Sequence, residues 1–440
     1  MVDTAVDDAD DLLAFLDASP SPFHAVATVA ERLRAAGFVE VDERDAWSGE
    51  SDGGLHYVIR GGSIVAWARR DPAQLDGGFR IVGAHTDSPN LRIKPRPDTG
   101  TAGYRQLGVE VYGGALWNSW LARDLGLSGR VAVRSADGTE REGQGPLSML
   151  FKVDRAVLRV PQLAIHLDRG VNENGLKLNA QSHLSPVWGL GRPTEHGFAS
   201  FLAEELGVGE EDVLAWDVMA HDITPASLLG HHGEFVSSGR LDNLLSCWAA
   251  TRSLTESSSH PAVPVGVPVV CLFDHEEIGS ESSTGAAGSI LPTILERIAL
   301  SAGFDREGYV RALASSRCVS ADGAHATHPN YAERHEPRHH ITPNAGPVIK
   351  INSNVRYATD ALSSGWFKML CEQAGVPTQE FVVRTDLACG STIGPITAAR
   401  LGIPTVDVGV AQLSMHSARE LCGSDDPVLF VHALTRFFGS

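Results

Sequence analysis

Apolar and polar positions change rhythm twice along this chain, and each change predicts a different architecture. Residues 7–16 pair an acidic opening with helically spaced apolar positions, which predicts a short helix. Ser21-Pro22 starts a second helix that runs to about Ala36 and stops at Gly37. Apolar runs at 55–60, 63–68 and 79–84 predict three strands. After Lys94 the rhythm breaks at Pro95, Pro97, Gly100 and Gly103. From 96 to 236 strand-like stretches dominate. Val131-Ala132-Val133-Arg134 and the Asp137-Gly138 turn predict a hairpin, and a helix falls near 198–206. Gly230-His231-His232-Gly233 closes this region.

From Arg240 the pattern alternates. Helices are expected at 241–254, 286–302, 358–374, 393–401 and 426–438. Between them lie strands at 265–273, 318–320, 347–351, 379–384 and 405–408. Such alternation predicts an α/β fold with a helix-covered, largely parallel but mixed sheet. The expected division is 1–95 and 237–440 as one domain, with 96–236 as a β-rich domain inserted into it. The rival is a single large domain with a long irregular middle.

Composition narrows the class. The chain has 440 residues, 43% of them hydrophobic and 20% charged, as in an ordinary globular protein. Its net charge of −18 argues against nucleic acid or an anionic membrane surface as partner. The longest apolar run, 265–273, is interrupted by Gly266 and Pro268 and is too short to span a membrane. The N-terminal residues lack the pattern of a signal peptide. Six scattered cysteines without a CxxC pair suggest reduced thiols in the cytoplasm.

Candidate chemistry gathers where predicted strands end. Val269-Val270-Cys271-Leu272-Phe273 runs into Asp274-His275-Glu276-Glu277-Ile278-Gly279-Ser280. One glutamate there can bind a metal while its neighbour moves protons. The bland reading is an exposed acidic turn. His275-Glu276 is no HExxH site, because Gly279 stands where the second His is needed. The strand at 79–84 leads into His85-Thr86-Asp87, where Asp87 either shares a face with His85 or turns back to orient its ring. Asp242 stands at a helix start, Asp322 after the strand at 318–320, and His416 after the strand at 405–408. Two histidines and three carboxylates of this kind suit two divalent ions about 3.5–4 Å apart. Mixed nitrogen and oxygen donors suit zinc, with manganese or cobalt also compatible. The segment 390–394 either presents a helix N-terminus to a carboxylate or is an ordinary cap.

Five segments together resemble a known family. They are Gly83-Ala84-His85-Thr86-Asp87-Ser88-Pro89, Gly239-Arg240-Leu241-Asp242-Asn243, 274–280, Ser320-Ala321-Asp322-Gly323-Ala324-His325 and Ser414-Met415-His416-Ser417-Ala418-Arg419-Glu420. In order and spacing they look like the motifs of the aspartyl aminopeptidase family, cytosolic exopeptidases with paired metals. The resemblance implies that Asp242 bridges two metals, with His85 and Asp322 on one and Glu277 and His416 on the other. Glu276 would be the general base of a metal-activated water, and Asp87 would orient His85. It also implies that the inserted domain makes dimers, which assemble into a tetrahedral dodecamer. There His166, in Leu163-Ala164-Ile165-His166-Leu167-Asp168, would reach a neighbour's active site. His325 and Lys350 would face the substrate, the lysine favouring an N-terminal Asp or Glu by charge pairing. The other histidines of that segment, His328, His335, His339 and His340, read as exposed or structural, and His231-His232 as surface. Two positions depart from the family's common residues: His275, where Asn is usual, and Gly323, where Met is usual.

The expected function is thus release of N-terminal residues from peptides. Two other readings compete with it. One is an N-acyl amino acid deacylase of related fold; the other is a non-catalytic scaffold that keeps the peptidase fold.

Overall fold

The computed structural model describes residues 2–47, 54–134 and 145–440, with side chains from residue 8 onward. The Asp137-Gly138 turn of the expected hairpin lies outside the described residues. The chain forms two compact units. The first comprises Met1–Asp87, Ala226–Met415 and Glu420–Ser440, and the second Ser88–Pro225 with His416–Arg419. The division at Ser88 and Pro225 falls earlier than 96 and 236. Strand Asn90–Thr99 already pairs inside the second unit, whereas Ser227–Leu229 and Phe235–Ser238 pair inside the first.

The first unit is built on a nine-stranded mixed sheet. Its centre is a parallel run of Val267–Phe273, Phe79–His85, Arg317–Ala321 and Thr405–Gly409. The two strands Val267–Phe273 and Phe79–His85 are buried at every residue, as a strand covered on both faces requires. Alternate residues serve opposite faces. Val82, Ala84, Val270 and Leu272 join Leu16, Trp248, Phe367 and Phe430 in one core. Ile81, Val269, Cys271 and Phe273 join Ile290, Ile294, Ile298 and Ile393 in the other. Helices lie over both faces, including Pro22–Ala35, Leu241–Ser259 and Asp426–Phe438 on the first and Ile290–Ser301 and Ile393–Leu401 on the second. Ser21 caps Pro22–Ala35 by accepting from His24 N–H, as its Ser-Pro opening requires. A smaller sheet of short strands, Ser227–Leu229, Phe235–Ser238, Glu420–Gly423, Ala411–Leu413 and Ala324–His325, belongs to the same unit.

The second unit is a six-stranded antiparallel sheet. Its longest strands are Leu147–Leu158, Val213–Asp222 and Asn90–Thr99. Leu91, Leu107, Leu127, Val131 and Phe151 form its core with Phe198 and Leu202 of the helix Phe198–Leu206. Among the described residues, no helix is long and apolar enough to cross a membrane.

Candidate metal centre

Three neighbouring parallel strands of the first unit deliver their ends to one place. Phe273 pairs with His85, and Ser320 with Gly83, so His85, the 274–277 turn and Asp322 emerge side by side. His275 adopts φ +67°, a left-handed conformation rare outside glycine. That turn lets Glu276 and Glu277 leave the strand in a one-turn 3₁₀ helix. Asp242 arrives from the strand Phe235–Ser238 through Arg240, also left-handed at φ +62°.

Ligating atoms of His85, Asp242 and Asp322 lie within 4.8 Å of one another, and so do those of His85, Glu276 and Glu277. His85 is 1% exposed and Asp242 3%. The His85 ring is fixed by its back side. Nδ1 lies 2.9 Å from the Asp87 carbonyl, which can only accept, so the proton sits on Nδ1. Nε2 lies 3.3 Å from Asp242 Oδ1, to which it donates when the ring is protonated; in the neutral ring Nε2 carries the lone pair a metal would take. Asp87, wholly buried, accepts from the backbone N–H of Glu276 on one oxygen and of Glu277 on the other, both at 3.1 Å. It therefore orients His85 and locks the paired glutamates at the same time.

Residues given no role by the sequence complete the frame. Glu420, 2% exposed, accepts from Asp242 N–H at 2.9 Å. Asn243 donates to the Ala321 carbonyl at 2.8 Å, tying the helix start to the Asp322 strand. Cys247 donates to the His85 carbonyl, and burial pushes its thiol up to about 12. Both Asn243 and Glu420 lie inside the motifs quoted above, Asn243 directly after the proposed ligand Asp242 and Glu420 four residues after His416, and that proximity was the signal available.

Electrostatics follow from crowding anions in a dry pocket. Burial, followed by the charges of Asp322, Asp242 and Asp87, pushes Glu276 up to about 8 despite His85. Burial also raises Asp322, and the Asp242 carboxylate adds to it against Lys350. For His85 burial alone would lower the pKa, but hydrogen bonds to Asp242 and Asp87 and the charge of Glu276 hold it well above 6.5. A cluster that gathers protons in this way is matched to a multivalent cation. Imidazole with carboxylates is a donor set zinc accepts.

The other predicted residues have these places. Lys350 is 2% exposed, donates to the Gly323 carbonyl at 3.0 Å and stands 3.4 Å from Asp322 Oδ1. His325 is exposed on the short strand Ala324–His325, edge-on to Phe381 at 5.9 Å. His166 lies in an exposed turn of the second unit. His416 groups with the second unit, its Nδ1 3.2 Å from the Gly114 carbonyl, so Nε2 carries the lone pair of its neutral form. The 390–394 segment takes the cap reading: Thr392 accepts from Gly394 N–H at 3.2 Å and donates to buried Asp407 at 2.6 Å.

Comparison with known proteins places the chain in a family. The family described as aminopeptidase I zinc metalloprotease (M18) matches residues 15–438. A probable M18 family aminopeptidase 2 of Streptomyces coelicolor is 54% identical over 429 residues, covering 97% of this chain and 96% of the relative. The cryo-EM structure of an Ape4 and Nbr1 complex superposes with a TM-score of 0.92 at 39% identity, covering 99% of this chain and 86% of the other. An S. cerevisiae mApe1 dodecamer superposes at 0.83 and 29% identity, covering 98% and 96%. The chain belongs to the M18 family of zinc metalloaminopeptidases.

Proposed function

We propose that this enzyme releases N-terminal Asp or Glu from peptides with two divalent ions, zinc first among them, and Glu276 as general base. The observation that carries the reading is the convergence on His85 of buried Asp242 and Asp322 and of half-buried Glu276 and Glu277. His85 and Asp322 would hold one ion, Glu277 and His416 the other, with Asp242 between them; the place of His416 rests on the family resemblance. Bound there, the ions would supply Lewis acidity toward the scissile carbonyl and acidify the attacking water. Glu276, held by Asp87 through its N–H, would take that water's proton and return it to the departing amine. Its burial makes it a stronger base than an ordinary carboxylate. Lys350 is the buried cation that would set the acidic preference, and His325 would face the same substrate.

We extend the proposal to assembly. The second unit would be a dimerisation domain, and the enzyme a homo-oligomer, a tetrahedral dodecamer in its full form, with His166 reaching a neighbour's substrate. Exposed Leu163, Ile165 and Leu167 around His166 support an interface, as does the dodecameric mApe1 relative. A cytoplasmic setting accords with six free cysteines.

Metal analysis and hydrolysis of aspartyl, glutamyl, alanyl and leucyl dipeptides beside N-acetyl amino acids test the reading. Two ions per chain and turnover concentrated on the acidic dipeptides are expected. Turnover of the N-acetyl compounds instead would replace it with a deacylase, and a protein inert and metal-free after zinc addition with a scaffold.

A further inference from the structure

Of the five ligands proposed above, His416 alone belongs to the second unit. It takes φ +67°, a left-handed conformation that a residue with a side chain holds only where its surroundings enforce it. The enforcement comes from one short segment of the same unit, about three hundred residues earlier in the chain.

That segment grips both the ring and the backbone. The Gly114 carbonyl accepts from the ring Nδ1 at 3.2 Å, which assigns the lone pair of the neutral ring to Nε2. Leu116 N–H donates to the His416 carbonyl at 2.9 Å. Ser119 Oγ works in both directions: it accepts from Ala418 N–H at 2.9 Å and donates to the Leu116 carbonyl at 2.6 Å. Ala418 and Trp120 are buried in one core, so the turn and the segment that holds it rest on the same support. The ring packs directly on Gly114, where a Cβ would lie 3.1 Å from Nδ1 and 3.5 Å from Cε1. A turn secured for folding alone would need the backbone bonds, but not this approach of the ring to a residue without a side chain.

We propose that Gly114 and Ser119 are positioning residues for His416, through which the second unit sets how tightly the enzyme holds one of its two ions. The inference rests on the reading of His416 as a metal ligand. It gives the inserted unit a part in the chemistry of its own chain, separate from the dimerisation proposed for it.

The test draws zinc from the loaded full chain with a chromogenic chelator and counts the ions in the dialysed protein by elemental analysis. Wild type should hold two ions and His416→Ala one. Gly114→Ala, which drives a methyl group toward the ring, should weaken one ion roughly 10- to 100-fold and leave the other at wild-type affinity. Ser119→Ala, which loses one hydrogen bond to a backbone N–H, should weaken the same ion about 3- to 10-fold. Excess zinc should restore turnover in both variants, which a damaged fold would not allow. Wild-type affinities in both overturn the positioning role, and so does an equal weakening of the two ions, the mark of general loosening. If His416→Ala loses an ion while the other two variants bind as wild type does, the ligand reading stands and only the positioning role falls. If His416→Ala holds as many ions as wild type, the ligand reading falls and takes the positioning role with it. Gly114 is exposed, so its variant reports even if Ser119→Ala does not fold.

Discussion

The two units treat their carboxylates in opposite ways. Among the described residues of the second unit each buried or half-buried acid has a cation: Asp222 pairs with Arg123, Asp217 with Arg130 and Asp212 with Arg134, and exposed Asp154 also meets Lys152 and His221. The hydrogen bond from His221 comes first in holding Asp154 down to about 2. In the first unit Asp87, Asp242, Glu276 and Asp322 crowd around a single imidazole and one lysine, and Glu276 rises to about 8. Paired charges serve the folded state. Like charges buried together cost stability until something cationic joins them, so the first unit's cluster signals a site and the second unit's pairs a scaffold.

Substitutions can break this contrast. The largest effect should come from Glu276→Gln, which keeps size and hydrogen bonding but removes the base. Turnover should fall roughly 10²–10⁴-fold with metal content retained. Asp242→Ala should lose metal as well as turnover. Elemental analysis of both variants decides the point; equal metal loss in the two would merge the roles separated here.

Next in size is Phe198→Ala in the second unit. Phe198 is fully buried and meets Trp216 edge-on at 5.3 Å. Its truncation should cost about 3–5 kcal/mol of that unit's stability by leaving a cavity. Denaturant unfolding followed by tryptophan fluorescence measures it. A cost below about 1 kcal/mol would mean that this core is not what the unit rests on.

The acid cluster should also show in its pH dependence. A group raised in the folded state stabilises fully below its unfolded pKa and ceases to as pH climbs through the folded one. For Glu276 that window runs from its ordinary 4.5 to about 8. Metal-free protein should therefore lose stability across this window, and Glu276→Gln should lose less. Zinc added near pH 7 should displace protons, detectable with an indicator dye in weak buffer. Zinc uptake without proton release would contradict the raised pKa values.

The smallest effect belongs to the scaffold. Asp154→Asn should cost no more than about 1 kcal/mol at neutral pH, because the side chain is 58% exposed and water screens the pair. The contribution of a depressed carboxylate is present above its unfolded pKa of 3.8 and is lost as pH falls through about 2. Urea melts at pH 7 and pH 2 should therefore show the penalty shrinking with acid. A constant penalty would reassign Asp154 to packing.

Much of the first unit could be read in advance because its elements have strong periods. Strands Leu55–Arg60 and Ser63–Ala68 and helices Ile393–Leu401 and Asp426–Phe438 begin and end at the expected residues. The helix Arg306–Ala314 was not expected: it buries only Tyr309 and Ala312, too thin a stripe to stand out. Nor were Ser227–Leu229, Phe235–Ser238, Ala411–Leu413 and Glu420–Gly423, strands of three or four residues. Such segments carry no period of their own and become strands by pairing with residues far along the chain.

What the sequence determined by itself was local and chemical: the alternation of helix and strand, the residues at strand ends, and the family those residues spell out. Side-chain periodicity and capping act over a few neighbours and are written into the chain. Tertiary structure alone decided that Asp87 would bind two backbone amides 189 and 190 residues away, and that Glu420 would hold Asp242 from 178 residues away. It alone set Gln412 against the space left by Gly323. Hydrogen bonds and desolvation depend on distance in space, and no spacing along the chain encodes that distance until the strands have found their order.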